Sequence, residues 1–382
     1  MLRFGQAIVL LALAAISGGA QQVEKGSGGV FAPLAKENPS RPLFARNVVI
    51  VTIDGLRWQE MFGGADSEYF QKDAKGEATP LEKLYVRPTV EERRAVLMPY
   101  VWNEVARRGQ IFGDPSRRSR AHVTNGLWFS YPGYNEMLSG AADPRVDSND
   151  KIPNPNKTVL EWLNTKREFA GKVAAFGAWD RLPFILNVDR SRIPVGTGFT
   201  PVPSPKTARQ REINEMAKDL PPVWDYGTLD APIVAAAVEC LRVDKPRVMY
   251  VMLGEGDEWA HRGRYDLYLD ATQRADRFVR RLWETLQSLP DYKGATALLL
   301  TTDHGRGATT KDWTDHGRKV PAAESTWIAA IGAGVAPLGV REGVTVTASQ
   351  LAATIASLLG QDYSAGSPNA AAPLAGLGGN TR

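Results

Sequence analysis

Three runs of aliphatic and β-branched residues constrain this chain more than any other feature. They are NVVIVTID (47–54), PRVMYVMLG (246–254) and ATALLLTTD (295–303). None alternates apolar with polar. A strand read this way is buried on both faces, which is the habit of parallel sheets. STWIAAIG (325–332) is a fourth candidate strand. Helical periodicity separates the runs, over 97–109, 231–243, 265–289 and 347–360. Strands alternating with helices predict an α/β fold, a mostly parallel central sheet with helices on both faces.

That architecture gives the ends of the strands a meaning. Ligands of open α/β sheets bind outside the carboxyl ends of the strands. Asp54 ends the first run, Asp257 lies just beyond the second, and Asp303 ends the third. The chain has only four histidines, and three of them fall beside these aspartates or beside glycine. His261 stands four residues after Asp257, so one helical turn places both on one face. His304 follows Asp303 directly, with Gly305 to relax the backbone, and His316 lies in TDHGR, where Asp315 could orient its ring. Carboxylate and imidazole are the donors that zinc and manganese take. Two such ions can clamp the attacking and leaving oxygens of a phosphoryl-type displacement. The fourth histidine, His122, is read as structural.

A nucleophile is also on offer. In TNGLWFSYPGYNEMLSG (124–140), Ser130 precedes a stretch that turns helical. A hydroxyl at a helix N-terminus faces partial positive charge, which favours an alkoxide and a bound anion. The segment DSNDKIPNPNKTVLEWL (147–163) supplies Asn149, Asn154 and Asn156 to hold a non-bridging oxygen, and Asn156 is favoured. Trp58, Trp128, Phe129, Tyr131 and Trp259 flank these positions and read first as packing.

Composition narrows the setting. Residues 1–20 have a short basic start, an apolar stretch and small residues, and read as a secretory signal peptide. A periplasmic or secreted protein is expected, with no membrane span after cleavage. Residues 21–45 read as a flexible lead-in, 46–362 as the catalytic domain and 363–382 as a C-terminal tail. Segments near 60–95 and 180–228 are rich in proline and charge and read as insertions or a cap. Cys240 is the only cysteine, so no internal disulfide exists, and its apolar helical setting marks it as a core residue. The net charge of +4 comes from scattered basic residues, which gives no reason to expect a nucleic-acid polymer as partner.

The order of these motifs resembles the alkaline phosphatase superfamily. It looks closest to the branch of nucleotide pyrophosphatase/phosphodiesterases and related bacterial phosphatases, in which a hydroxyl nucleophile precedes an aromatic-Pro pair. Here Ser130 precedes Tyr131-Pro132. The resemblance covers about residues 46–362. It implies that Asp257, His261 and His316 hold one divalent ion and that Asp54, Asp303 and His304 hold the other. Zinc is the metal implied, with manganese as the alternative. Ser130 would bridge the two and carry a phosphoryl group, and the substrate would be a small phosphoester. The pattern departs at Gly133, where that branch usually has Asn, at Ala260, where it often has Gly, and in using Ser where many relatives use Thr. A formylglycine sulfatase is disfavoured, because Ser130-Tyr131-Pro132-Gly133-Tyr134 lacks the arginine of that motif. A sulfuric ester hydrolase or a phosphotransferase or mutase on the same core, and a metal-stabilised binding protein, are the rival readings.

Overall fold

The computed structural model describes residues 44–72 and 75–379. The expected signal peptide and all but the last two residues of the lead-in lie outside the described residues. No helix among the described residues is long and apolar enough to cross a membrane.

The strands in chain order are β1 (Asn47–Ile53), β2 (Gln110–Phe112), β3 (Arg120–His122), β4 (Val173–Gly177), β5 (Val195–Thr197), β6 (Val248–Leu253), β7 (Thr296–Thr301), β8 (Ser325–Thr326), β9 (Ile328–Gly332), β10 (Gly339–Val340) and β11 (Thr345–Thr347). Eight of them form one sheet in the order β10-β2-β9-β7-β1-β6-β4-β5, and β11-β3-β8 form a smaller one. In the large sheet β1 pairs parallel with both β6 and β7, and only β9 runs against its neighbours. The mostly parallel α/β sheet expected from the sequence is therefore the one observed.

Every residue of β1 is buried, which is why that run could not alternate. Its side chains still divide by pleat. Val49, Val51 and Ile53 pack with the helices Asp230–Val243 and Tyr265–Ser288, through residues such as Ile233, Val234, Leu269 and Val279. Val48 and Ile50 pack on the other face, with Met137, Leu138, Leu160 and Ile355. Burying each such side chain contributes about 1.5–3 kcal/mol, so this central strand anchors both layers.

Several elements were not legible in the sequence. β4 is built from VAAFG, whose small residues give no β-branched signal. β5 comes from within 180–228 and extends the large sheet at its edge. The 97–109 pattern begins with a wide turn at Val101–Val105, and the buried carboxylate of Asp276 accepts the Tyr100 and Val101 N–H groups at its start (2.8 and 2.9 Å). The C-terminal segment is packed at Leu374 and Leu377. Cys240 is buried in its helix; burial, then Asp244, pushes its thiol up to about 12.

Candidate active site and metal centre

The register of the sheet sets the site. Thr52 lies beside Met252 on one side and Thr301 on the other, so β1, β6 and β7 end together. Asp54 and Asp303 leave the sheet at that common rim, and Asp257 follows in the short helix Glu255–His261. The turn after β1 depends on Gly55. Its φ is +60°, and a Cβ there would lie 2.5 Å from Asp257 Oδ1. Gly305 is required for a different reason from the one expected. It is not left-handed; a Cβ would lie 2.3 Å from the Ser325 carbonyl oxygen, so the residue permits close packing of the loop after β7.

His304 is fully buried and its ring is fixed by two sets of contacts. Nδ1 lies 2.8 Å from the Gly305 carbonyl oxygen and donates to it. Nε2 is left facing Asp54 Oδ1 (3.4 Å), Asp303 Oδ2 (3.4 Å) and Ser130 Oγ (3.3 Å). Burial lowers the pKa of this imidazole, but the carboxylates of Asp303 and Asp54 outweigh it and push it up to about 9. Burial, then Asp54, raises Asp303 well above the usual carboxylate range. The second group is close by. His261 Nε2 lies 3.1 Å from Asp257 Oδ2 and 3.0 Å from His316 Nε2. His316 Nε2 lies 3.9 Å from Asp257 Oδ1.

These donors fit divalent metal ions. Asp54 Oδ1, Asp303 Oδ2 and His316 Nδ1 are buried atoms without a hydrogen-bond partner. Buried polar atoms are rarely left so, and an ion is one reason they would be. Two triads bring their donor atoms within 4.8 Å of one another: Asp54, Asp303 and His304, and Asp257, His304 and His316. His304 thus stands between the two groups, and its ring stacks 4.0 Å from that of His316. The anionic cluster raises the His304 pKa as a cation would be welcomed there, so metal binding must displace that proton.

Ser130 is the first residue of the helix Ser130–Ser139, and its Oγ reaches the shared imidazole. It lines a cavity of about 230 Å³ together with Asp54, Asp257, His261 and His316. The walls bring in Asn149, Trp179, Arg181, Trp224 and Tyr226. Here one expected residue is displaced. Asn156 does not line the cavity; its Nδ2 donates to Asn135 (3.0 Å) and its Oδ1 accepts from Arg145 (3.2 Å). Asn154 is buried against the Ile185 carbonyl. Asn149 takes the position instead. Its Oδ1 accepts the Tyr131 N–H at 2.9 Å, and the residue lines the cavity. Asp315 does not orient His316; it accepts from Thr314 Oγ1 at 3.0 Å. His122 sits on β3 and is absent from the cavity lining.

Three side chains that contact the site residues could not be picked out from the sequence. Arg306, two residues after His304, is fully buried; it donates to Asp257 Oδ1 and to the carbonyls of Trp313 (3.0 Å) and Thr314 (2.6 Å). Burial would raise the Asp257 pKa, but Arg306, then His261, hold it well below the usual range. The hydroxyl of Tyr134 donates to Asp54 Oδ2 at 2.7 Å. Arg181 donates from Nε to the Asn149 carbonyl at 3.1 Å and is paired with Asp180. The only sequence signal for Arg306 is its place between two glycines in HGRG.

Residues 224–363 match the family model of the metalloenzyme superfamily. That span holds Asp257, His261, Asp303, His304 and His316. The matched span covers about a third of the chain and is similar to that superfamily over the loops that carry five of the six expected metal donors. Solved structures of similar fold include Ps i-CgsB in complex with k-i-k-neocarrahexaose, at 15% identity and a TM-score of 0.51, covering 87% of this chain and 75% of that one. The lipoteichoic acid synthase LtaP from Listeria monocytogenes is similar at 10% identity and a TM-score of 0.50, covering 86% and 75%. At such identities the likeness speaks for the fold alone. No curated protein matches the chain.

Proposed function

We propose that this chain is an exported hydrolase of small phosphoric esters, monoesters or diesters, that works through a phospho-serine at Ser130. The observation that carries the proposal is the convergence on His304 Nε2. The Ser130 hydroxyl and the unpartnered oxygens of Asp54 and Asp303 lie 3.3–3.4 Å from that nitrogen, and Ser130 and Asp54 line a cavity. A purely structural metal site has no need of a hydroxyl at a helix N-terminus.

Divalent ions, zinc in the first instance and manganese as the alternative, would be held by Asp257, His261 and His316 and by Asp54, Asp303 and His304. When bound they supply positive charge that lowers the hydroxyl pKa and stabilises charge on the leaving oxygen. The protein does the rest. Ser130 Oγ attacks phosphorus, the Oγ–P bond forms and the bond to the leaving oxygen breaks. At the helix N-terminus the Tyr131 N–H is taken by Asn149 and Pro132 has none, so the Ser130 N–H is the one that faces the anion. Asn149 donates its amide, and Arg181 its guanidinium, to the non-bridging oxygens, which a planar fork suits. Water then displaces Ser130 from phosphorus in a second step. Trp179, Trp224 and Tyr226 wall off the leaving-group side.

The test compares p-nitrophenyl phosphate, bis-p-nitrophenyl phosphate and p-nitrophenyl sulfate with wild type and Ser130→Ala. The proposal expects turnover of a phosphate ester, its loss in Ser130→Ala and unchanged metal content. Preference for the sulfate, or full turnover by Ser130→Ala, would overturn it. Adding an acceptor alcohol distinguishes hydrolysis from transfer, because a transferase would yield the alkyl phosphate.

A further inference from the structure

One more buried carboxylate, outside both metal groups, lies on the nucleophile helix. Glu136 is in the second turn of the helix Ser130–Ser139, fully buried, with no lysine or arginine paired to it among the described residues. A buried carboxylate costs several kcal/mol unless hydrogen bonds satisfy it. Here they do, and nearly all come from one loop. The Thr124 N–H reaches both oxygens (2.9 and 2.8 Å), and Thr124 Oγ1 donates at 2.8 Å. Asn125 donates from its backbone N–H (2.9 Å) and from Nδ2 (3.0 Å). Only Ser349 Oγ, at 3.1 Å, comes from elsewhere.

The fixing of Asn125 has a consequence downstream. With Nδ2 held by Glu136, Asn125 Oδ1 points along the loop and accepts the N–H groups of Leu127 (2.8 Å) and Trp128 (2.9 Å). Trp128 is in the left-handed region, with φ of 58°. A bulky side chain there is an outlier that surrounding contacts must maintain. The strained residue sets the direction in which the chain enters Phe129, the extended residue before Ser130. The same loop accepts Arg318 Nε on the Gly126 carbonyl at 2.9 Å, which ties it to the segment that carries His316.

We propose that Glu136 is a positioning residue for the nucleophile, acting through Asn125 to hold the 124–129 loop in the shape that delivers Ser130 Oγ to the site. The inference rests on the reading of Ser130 as nucleophile. Its chemistry is charge-assisted hydrogen bonding to a loop, with no proton transferred. Glu136 does not touch the substrate. Its loss therefore lowers the rate of attack and leaves ligand binding at the metal groups alone.

The experiment compares wild type, Glu136→Gln, Asn125→Ala and Ser349→Ala by kinetics, metal analysis and amide hydrogen exchange. Glutamine offers one acceptor oxygen where the carboxylate offers two. Both Glu136→Gln and Asn125→Ala lower kcat by about tenfold to a hundredfold, as small misplacements of reacting groups do, with KM and metal content within about twofold of wild type. Amide exchange at Leu127 and Trp128 accelerates in both, and at Thr124 only in Glu136→Gln. Ser349→Ala, which removes the donor outside the loop, lowers Tm but keeps kcat. If Glu136→Gln does not fold, Asn125→Ala decides. A wild type without phosphoester turnover overturns the functional reading. A working wild type whose Glu136→Gln and Asn125→Ala variants are equally fast, or whose loop amides exchange unchanged, overturns this inference alone.

Discussion

Replacing Tyr134 by phenylalanine removes one oxygen from the core and tests how the site is held. Tyr134 is fully buried on the nucleophile helix, and its hydroxyl is the donor to Asp54 Oδ2. Burial, then Asp303 and Asp54, push its pKa well above the ordinary tyrosine value, so it keeps its proton and donates. Asp54 Oδ1 already has no partner. In Tyr134→Phe both oxygens of a buried carboxylate beside Asp303 lack a fixed donor. A hydrogen bond to a charged group contributes about 1.5–3 kcal/mol. An incoming ion must then orient a looser ligand. Partners that orient metal ligands typically contribute 10- to 100-fold in affinity, about 1.4–2.7 kcal/mol, which is the same range. The variant is therefore expected to bind zinc about 10- to 100-fold more weakly. Competition with a chromogenic chelator measures it, and a melt in excess chelator gives the stability change separately. Affinity and Tm equal to wild type would refute the claim that Tyr134 orients Asp54.

Two further outcomes follow from the packing. Gly133→Ala places a Cβ 2.4 Å from the Asp303 carbonyl oxygen, so backbone must move at the metal site; the variant should lose about 1–3 kcal/mol of stability, and an unchanged denaturation midpoint would contradict that contact. Asp276 is raised by burial from the ordinary 3.8 to about 6, despite the N–H groups of Tyr100 and Val101. A raised carboxyl holds its proton more tightly when folded, so its stabilising contribution is full below about pH 4 and lost as pH rises through about 6. Relative to Asp276→Asn, the wild type should lose about 2–3 kcal/mol across that window; a pH-independent difference in unfolding free energy would show the assignment to be wrong.

The sequence carried the site further than it carried the sheet. The six expected metal donors and Ser130 could be read because each stands at a place that strand pattern or helix spacing defines, and the structure brings all seven together. What could not be read depends on tertiary contact. Arg306 looks like any surface charge until its burial against Asp257 is seen. Asn149 and Asn156 share a loop without periodicity, and only the fold shows that Asn156 is occupied by Asn135 and Arg145 while Asn149 opens onto the cavity. β4 was hidden because alanine and glycine satisfy a crowded sheet interior without the β-branched signature. Gly133, which looked like a departure from the family pattern, has a packing reason in the close approach of the Asp303 backbone.

The central claim is that Ser130 carries the phosphoryl group, and trapping tests it most directly. Metal-loaded enzyme is mixed with its best phosphoester, quenched in acid, digested and mapped by mass spectrometry. The account predicts a phosphoryl adduct on Ser130 that is absent from Ser130→Ala and declines as substrate is exhausted. Rapid turnover with no adduct under any quench condition, or an adduct on another residue, would contradict it.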